Sequence, residues 1–259
     1  MKKIVVILFI ILLPVSVFAD SGSSSIVMDI DSGRVLYQNN IHSKKLIAST
    51  TKIMTCIIVL ENADINKKIT VGEEILSMYG TNIYVEVGEK IKIKDLLYGL
   101  MLRSGNDAAI TLAVNTFASE DEFVQEMNKK ANEIGMKNTH FNNPHGLDEK
   151  NENYSTAYDM ALLSKYAYHN KAYKYCIGGK NGYTPKAGKS LVSLARKDGL
   201  TLTIVSLDDS DIYNNHINLY NNSFSKYKSY TIIDKNNFNI DSSISNKELY
   251  IKDSFKYPL

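Results

Sequence analysis

Tryptophan is absent from this 259-residue chain, and cysteine occurs only twice, at Cys56 and Cys176. Two cysteines exclude a disulfide scaffold, and no group of His, Cys and carboxylate residues recurs at metal-ligand spacing. Charge of one sign is also lacking. With 30 basic residues against 28 acidic ones, the formal net charge is +2, and no concentrated basic patch or motif points to nucleic acid. No internal repeat is present, and after the N-terminal stretch no apolar run is long enough to cross a bilayer. The seventeen tyrosines fit a tyrosine-edged core and surface and imply nothing sharper.

Met1 to Ala19 carries Lys2 and Lys3, then an apolar run from Ile4 to Val17, then Val17-Phe18-Ala19 ahead of Asp20. Small residues at the first and third positions before Asp20 fit a secretory cleavage site. Cleavage after Ala19 is expected, which makes 1–19 a signal peptide and places the mature chain outside the cytoplasmic membrane. In an oxidising compartment the two cysteines are able to pair, but Cys56 lies inside an apolar helix and reads as a buried thiol.

The remaining chain has a mixed pattern. Ile26 to Ile30 and Val35 to Gln38 are short apolar stretches joined through Asp31-Ser32-Gly33, which predicts a hairpin. A helix is predicted from Ser49 to Glu61, apolar almost all round and therefore in the core. Further helices are predicted over Lys94 to Leu102 and Asp107 to Ala118. Ser119 and Glu122 form a capping box for another, ended by Gly135. A fifth runs from Ser155 or Thr156 to about Tyr168. Strands follow at Gly182 to Thr184, Ser190 to Arg196 and Leu200 to Leu207, the last two joined through Asp198-Gly199, and Asp211 to Phe224 reads as a closing helix. Two strands before the helices and three after them predict an α+β fold, one antiparallel sheet with an inserted helical block. Residues 20–226 form the expected catalytic domain, and 227–259, polar and weakly alternating, a short C-terminal β-rich tail.

Ser49 and Lys52 stand three residues apart, so one helical turn presents both on one face, where an amine can take a proton from a hydroxyl. Ser104-Gly105-Asn106 falls between two predicted helices, and Lys180-Asn181-Gly182 opens a predicted strand after two glycines. Taken singly, Ser49 reads as a helix cap, Lys52 as a solvated cation and the two tripeptides as turn chemistry. Their order along one chain is what the single readings leave unexplained; penicillin-binding proteins and class A β-lactamases carry such a trio.

The segments IASTTKIMT, MLRSGNDAA, NPHGLDEKNENYSTAYDMA and GGKNGYTPKAGKSLVSLARKDGLTL resemble the serine-type D-alanyl-D-alanine carboxypeptidases, the low-molecular-weight penicillin-binding proteins, over roughly Ser25 to Phe224. The resemblance implies a penicillin-binding, transpeptidase-like fold and removal of the terminal D-alanine from peptidoglycan stem pentapeptides, with β-lactams as covalent inhibitors and no cofactor or metal. By position it implies Ser49 as nucleophile, Lys52 as general base with its pKa lowered by burial and by Lys180, and Ser104 as proton relay. Asn106 would hold Lys52 and the substrate amide, Lys180 would bind the terminal carboxylate, and the backbone N–H groups of Ser49 and Tyr183 would form an oxyanion hole beside Gly182.

Four departures accompany the match. Asn181 stands where the family usually has threonine, which predicts impaired turnover. The stretch before Lys180, around Asn170 to Ile177, is short and would open the groove. Asn153 replaces a usual histidine and reads as structural. The tail lacks an amphipathic terminal helix, so no stable membrane anchor is expected after signal cleavage. A non-catalytic wall-binding or β-lactam-binding relative is the alternative. A class A β-lactamase is disfavoured, because Val124 stands where a glutamate should precede the candidate Asn128. His42, His140, His145, His169 and His216 receive no catalytic role.

Overall fold

The computed structural model describes residues 21–148, 152–169, 178–237 and 253–259. The N-terminal hairpin forms as the Asp-Ser-Gly turn predicts. Strands β1 (Gly22–Asp29) and β2 (Val35–Asn39) pair antiparallel, and Gly33 supplies the left-handed residue of the turn at φ +79°. β1 also pairs with a strand near the other end of the domain. The sheet runs β2, β1, β9 (Leu200–Asp209), β8 (Gly188–Lys197), β7 (Gly179–Thr184), antiparallel throughout. The chain between β2 and β7 is thus an insertion, the predicted α+β plan, and β7 is left at the edge.

Alternation along the strands produces two cores. Ile26, Met28, Val205 and Leu207 pack on the helical block, whereas Val27, Leu200, Leu202 and Ile204 pack on the other face. The block contains α1 (Lys52–Asn62), α2 (Ile93–Leu102), α3 (Asn106–Thr116), α4 (Glu120–Ile134) and α5 (Ala157–His169). Helix α6 (Ile212–Lys226) covers the opposite face through Leu219. Helix α1 is buried from Lys52 through Val59, as its all-round apolar sequence requires. One half of the capping box of α4 closes as expected, Glu122 N–H donating to Ser119 Oγ at 3.1 Å, while Glu122 Oε2 accepts from the N–H of Ala118, one residue before the cap; Gly135 ends the helix at φ +91°.

Two features differ from the sequence reading. The predicted helix from Ser49 is split, with a 3-10 turn at Ala48–Thr51 ahead of α1. Ala48 takes φ +44° and no side chain caps the turn. Short ladders also join β3 (Lys45–Leu46) to β6 (Tyr154–Ser155) and β4 (Lys68–Thr70) to β5 (Lys90–Lys92), too brief to leave a periodic trace.

The expected tail includes a hairpin of β10 (Ser229–Ile233) and β11 (Phe255–Pro258). Cys56 is buried as read from the sequence. Cys176 and the shortened Asn170 to Ile177 stretch lie outside the described residues, as does the leader. Among the described residues no helix is long and apolar enough to cross a membrane, and no group of three His, Cys or carboxylate side chains is placed to hold a metal ion.

Candidate active site

Ser49 and Lys52 are brought together by the tight turn entering α1. Lys52 Nζ lies 3.1 Å from Ser49 Oγ, 2.7 Å from Asn106 Oδ1 and 2.6 Å from the carbonyl oxygen of His145. Its side chain is fully buried. Burial first, and then the charge of Lys180, hold its pKa well below the ordinary lysine value, while Asp107 acts in the opposite sense.

The contacts of Lys52 set the direction of its lone pair. The amide of Asn106 is oriented by its Nδ2, which donates to the Tyr79 carbonyl at 2.7 Å, so Oδ1 faces the amine as an acceptor. The His145 carbonyl only accepts. A neutral amine has two hydrogens, and these two acceptors engage both. The lone pair is left facing Ser49 Oγ, the arrangement a general base needs.

The His145 carbonyl is held by a network centred on Asn153. Asn153 Oδ1 accepts from the N–H groups of Asn142 and Asn143 at 2.7 and 3.2 Å, and its Nδ2 donates to Thr51 Oγ1 at 3.0 Å and to the Asn143 carbonyl at 2.9 Å. Thr55 Oγ1 donates to the Pro144 carbonyl at 2.6 Å, fixing the same loop to α1. Gly146 lets the loop close on the turn, since a Cβ there would stand 2.0 Å from the Ala48 carbonyl oxygen, and its φ is +88°. The buried imidazole of His145 is neutral, its pKa lowered to about 3 by burial and by Lys52, so its 4.0 Å approach to Glu120 is not an ion pair.

On the other side, Lys180 Nζ donates to Ser104 Oγ at 2.9 Å and to its neighbour's carbonyl, that of Asn181, at 2.8 Å. Burial lowers Lys180 to about 8. Ser104, in the α2–α3 connection, adopts φ +61°, a left-handed conformation costly for a residue with a Cβ and characteristic of functional sites. Along β7 the alternation buries Lys180 and Gly182 and exposes Asn181 and Tyr183. Gly182 lies against the nucleophile turn. A Cβ on it would stand 2.9 Å from Ser49 N and 3.0 Å from Thr50 N, so only glycine permits this approach.

Ser49, Lys52, Ser104, Asn106, Lys180 and Gly182 are therefore brought together between the helical block and the edge strand, while Asn181 and Tyr183 are exposed on that same strand. Sequence reasoning missed three supports: the His145 carbonyl, the hub at Asn153 beyond its structural reading, and Asp107. Asp107 is buried at the start of α3, where its carboxylate accepts from the N–H groups of Ile83, Tyr84 and Val85. An acidic residue directly after Ser-Gly-Asn was the available signal.

A buried amine beside a serine hydroxyl, with a second lysine on an edge strand of an antiparallel sheet, is an arrangement able to support serine–lysine acyl transfer. Residues 15–179 match the model of the peptidase S11 family, D-alanyl-D-alanine carboxypeptidase, and the chain belongs to that family. It is 43% identical over 155 residues to D-alanyl-D-alanine carboxypeptidase DacF of Bacillus subtilis (strain 168), covering 58% of this chain and 40% of that one. It is 30% identical over 213 residues to DacB2 of Mycobacterium tuberculosis, covering 70% and 73%. Its fold superposes with a TM-score of 0.77 and 26% identity on a crystal structure of a D-alanyl-D-alanine carboxypeptidase from M. tuberculosis H37Rv, covering 80% of this chain and 92% of that one. A mutant of Streptomyces K15 DD-transpeptidase gives a TM-score of 0.74 at 25% identity, covering 80% and 99%. The chain thus spans less than half the length of its Bacillus relative.

Proposed function

We propose that this chain is a serine-type D-Ala-D-Ala carboxypeptidase that removes the terminal D-alanine from peptidoglycan stem pentapeptides. The observation that carries the reading is the saturated environment of Lys52, whose two acceptors leave its lone pair for Ser49. Lys52 takes the Ser49 proton as Oγ bonds to the penultimate D-alanine carbonyl carbon, and the N–H groups of Ser49 and Tyr183 hold the oxyanion. Ser104 Oγ, accepting from Lys180, keeps its own hydrogen to give to the leaving amine as the C–N bond breaks, and is reprotonated from Lys52. Lys180 and Asn181 bind the terminal carboxylate; the second N–H of the Asn106 amide serves the substrate. Water then hydrolyses the ester and restores Ser49. No cofactor takes part.

In this reading residues 1–19 direct the chain out of the cytoplasm, 20–226 act in the cell-wall space, and β-lactams acylate Ser49. Intact mass after incubation with penicillin, followed by peptide mapping, tests the nucleophile, and release of free D-alanine from a stem pentapeptide tests turnover. An adduct on Ser49 with D-alanine release is expected. Absence of any adduct at high drug concentration would sink the proposal; an adduct without D-alanine would leave the non-catalytic binding relative as the better description.

A further inference from the structure

The loop whose His145 carbonyl bonds Lys52 continues across to the far end of β7. Leu147 N–H donates to His145 Nδ1 at 3.1 Å. A Cβ on Gly80 would stand 3.7 Å from Leu147 Cδ2 and 3.3 Å from Asn106 Nδ2, so the loop passes beside the Asn106 amide. One residue on, the Asp148 carboxylate accepts from Thr184 Oγ1, which in turn accepts from Ala187 N–H at 3.0 Å. The loop thus runs from Lys52 on one wall to the last residue of β7 on the other.

A second contact joins the same two segments. Lys186 Nζ stands 2.7 Å from Glu152 Oε1. The backbone around this pair is held in place. The Glu152 carbonyl accepts from Asn142 Nδ2 at 2.8 Å, the next residue, Asn153, bonds Thr51 in the nucleophile turn, and Lys186 sits in the turn that β7 and β8 close by pairing Thr184 with Gly188. The side chains are open to solvent, Lys186 being 58% and Glu152 37% exposed. An exposed pair of this kind contributes little to stability, so opening it costs little. The Glu152 carboxylate first, and the charge of Asp148 after it, raise the Lys186 pKa above the ordinary lysine value, which keeps this lysine an ammonium.

The direction of the substrate brings its third residue to this pair. In the proposed mechanism the terminal carboxylate is at Lys180 and the scissile carbonyl lies between the N–H groups of Ser49 and Tyr183, so the stem advances along β7 from Lys180 towards Thr184. Lys186 is three residues past Tyr183, at most about 10 Å at about 3.3 Å per residue. One Cα step of about 3.8 Å and an extended side chain of about 6 Å carry the end of the residue before the penultimate D-alanine over the same length. In a stem peptide that residue is a diamino acid, whose side chain ends in an ammonium alone or in an ammonium and a carboxylate. A lone ammonium takes Glu152 only by leaving Lys186 bare, one pair for one. An end that bears both charges meets Glu152 and Lys186 together, two pairs for one.

We propose that Glu152 and Lys186 are specificity-determining residues that select a stem whose third side chain ends in both an ammonium and a carboxylate, as diaminopimelate does, over one that ends in an ammonium alone, as lysine does. The inference rests on the carboxypeptidase reading and names the substrate class of that same site.

Three synthetic pentapeptides that differ only in the third residue test it: diaminopimelate, diaminopimelate with its side-chain carboxyl amidated, and lysine. Each is measured by release of D-alanine and, separately, by how far it slows penicillin acylation of Ser49. In the unaltered chain KM should be about fivefold lower for the diaminopimelate peptide than for the other two at similar kcat, and protection against penicillin should follow the same order. Glu152→Gln and Lys186→Gln should each bring the three peptides to within about twofold of one another. Equal KM and equal protection in the unaltered chain, an amidated peptide as good as the free one, or a preference that survives in either variant would overturn the proposal. Release of D-alanine from none of the three, with graded protection intact, would overturn the carboxypeptidase reading and leave the selection by Glu152 and Lys186 standing.

Discussion

Lys180 Nζ donates to Ser104 Oγ at 2.9 Å, joining the edge strand to the α2–α3 connection across the cleft. In the proposed mechanism the two lysines act in opposite protonation states. Lys180 must be charged to attract a carboxylate, and burial has brought its pKa down to about 8. As pH rises through about 8, the ammonium is lost and KM for a D-Ala-D-Ala peptide should rise. Lys52 must be neutral, a form its lowered pKa favours, so kcat/KM should fall on the acid side as the amine takes up a proton. Lys180→Arg should push the alkaline limb beyond the measured range, because a guanidinium stays charged. An alkaline limb that stays put in that variant would assign it to another group.

Gly146→Ala should be among the most damaging single-methyl additions in the chain. The new Cβ would stand 2.0 Å from the Ala48 carbonyl oxygen at a left-handed φ, so loop and turn must separate. A loss of at least about 2 kcal/mol is expected from overpacking and backbone strain together. The rate of penicillin acylation should fall as well, since the adjacent His145 carbonyl shifts away from Lys52. Thermal unfolding and acylation kinetics check both, and an acylation rate equal to wild type would refute the positioning role of this loop.

Asn153→Ala removes the acceptor of one buried and one part-buried N–H group, those of Asn143 and Asn142, and the donor to Thr51. Each orphaned buried group costs about 1–3 kcal/mol, so chemical denaturation should show a loss of roughly 3 kcal/mol. The pKa of Lys52 should change little, because Asn153 does not touch its amine. Acylation of the remaining folded protein should therefore keep its pH midpoint while slowing. A moved midpoint would show that Asn153 acts on Lys52 electrostatically.

Asn181→Thr should raise kcat/KM for D-Ala-D-Ala peptides several-fold with stability unchanged to within about 0.5 kcal/mol, since the side chain is exposed. The Asn181 carbonyl that accepts from Lys180 is backbone and survives the change. Equal kcat/KM in the two proteins would show that the amide serves the carboxylate as well as a hydroxyl does.

The elements legible in the sequence were those with strong periodicity or punctuation. Helix α1 announced itself by its apolar run, α4 by Ser119, Glu122 and Gly135, and the β8–β9 hairpin by Asp198-Gly199. Ser49, Lys52, Ser104, Asn106 and Lys180 were legible because their side-chain types, in that order and spacing, form a motif. The partners of Lys52 were less so. A carbonyl carries no residue identity, so the His145 contribution leaves a trace only in Gly146, whose need is a close approach to Ala48 that no local pattern reveals. The short β3–β6 and β4–β5 ladders were missed for a related reason, since two or three paired residues cannot establish a period.

β1 sits inside the sheet, bonded on one side to β2 and on the other to β9, a strand some 180 residues later in which Ser25 faces Ser206. During synthesis the first strand must therefore wait, one edge open, until nearly the whole domain has emerged. In the proposed mechanism Ser49 lacks its full setting until then, because β7, which carries Lys180 and Gly182, joins the sheet only through β8 and β9. On the proposed acylation of Ser49, covalent labelling by a β-lactam would report completed folding, and a chain captured in transit should stay unlabelled.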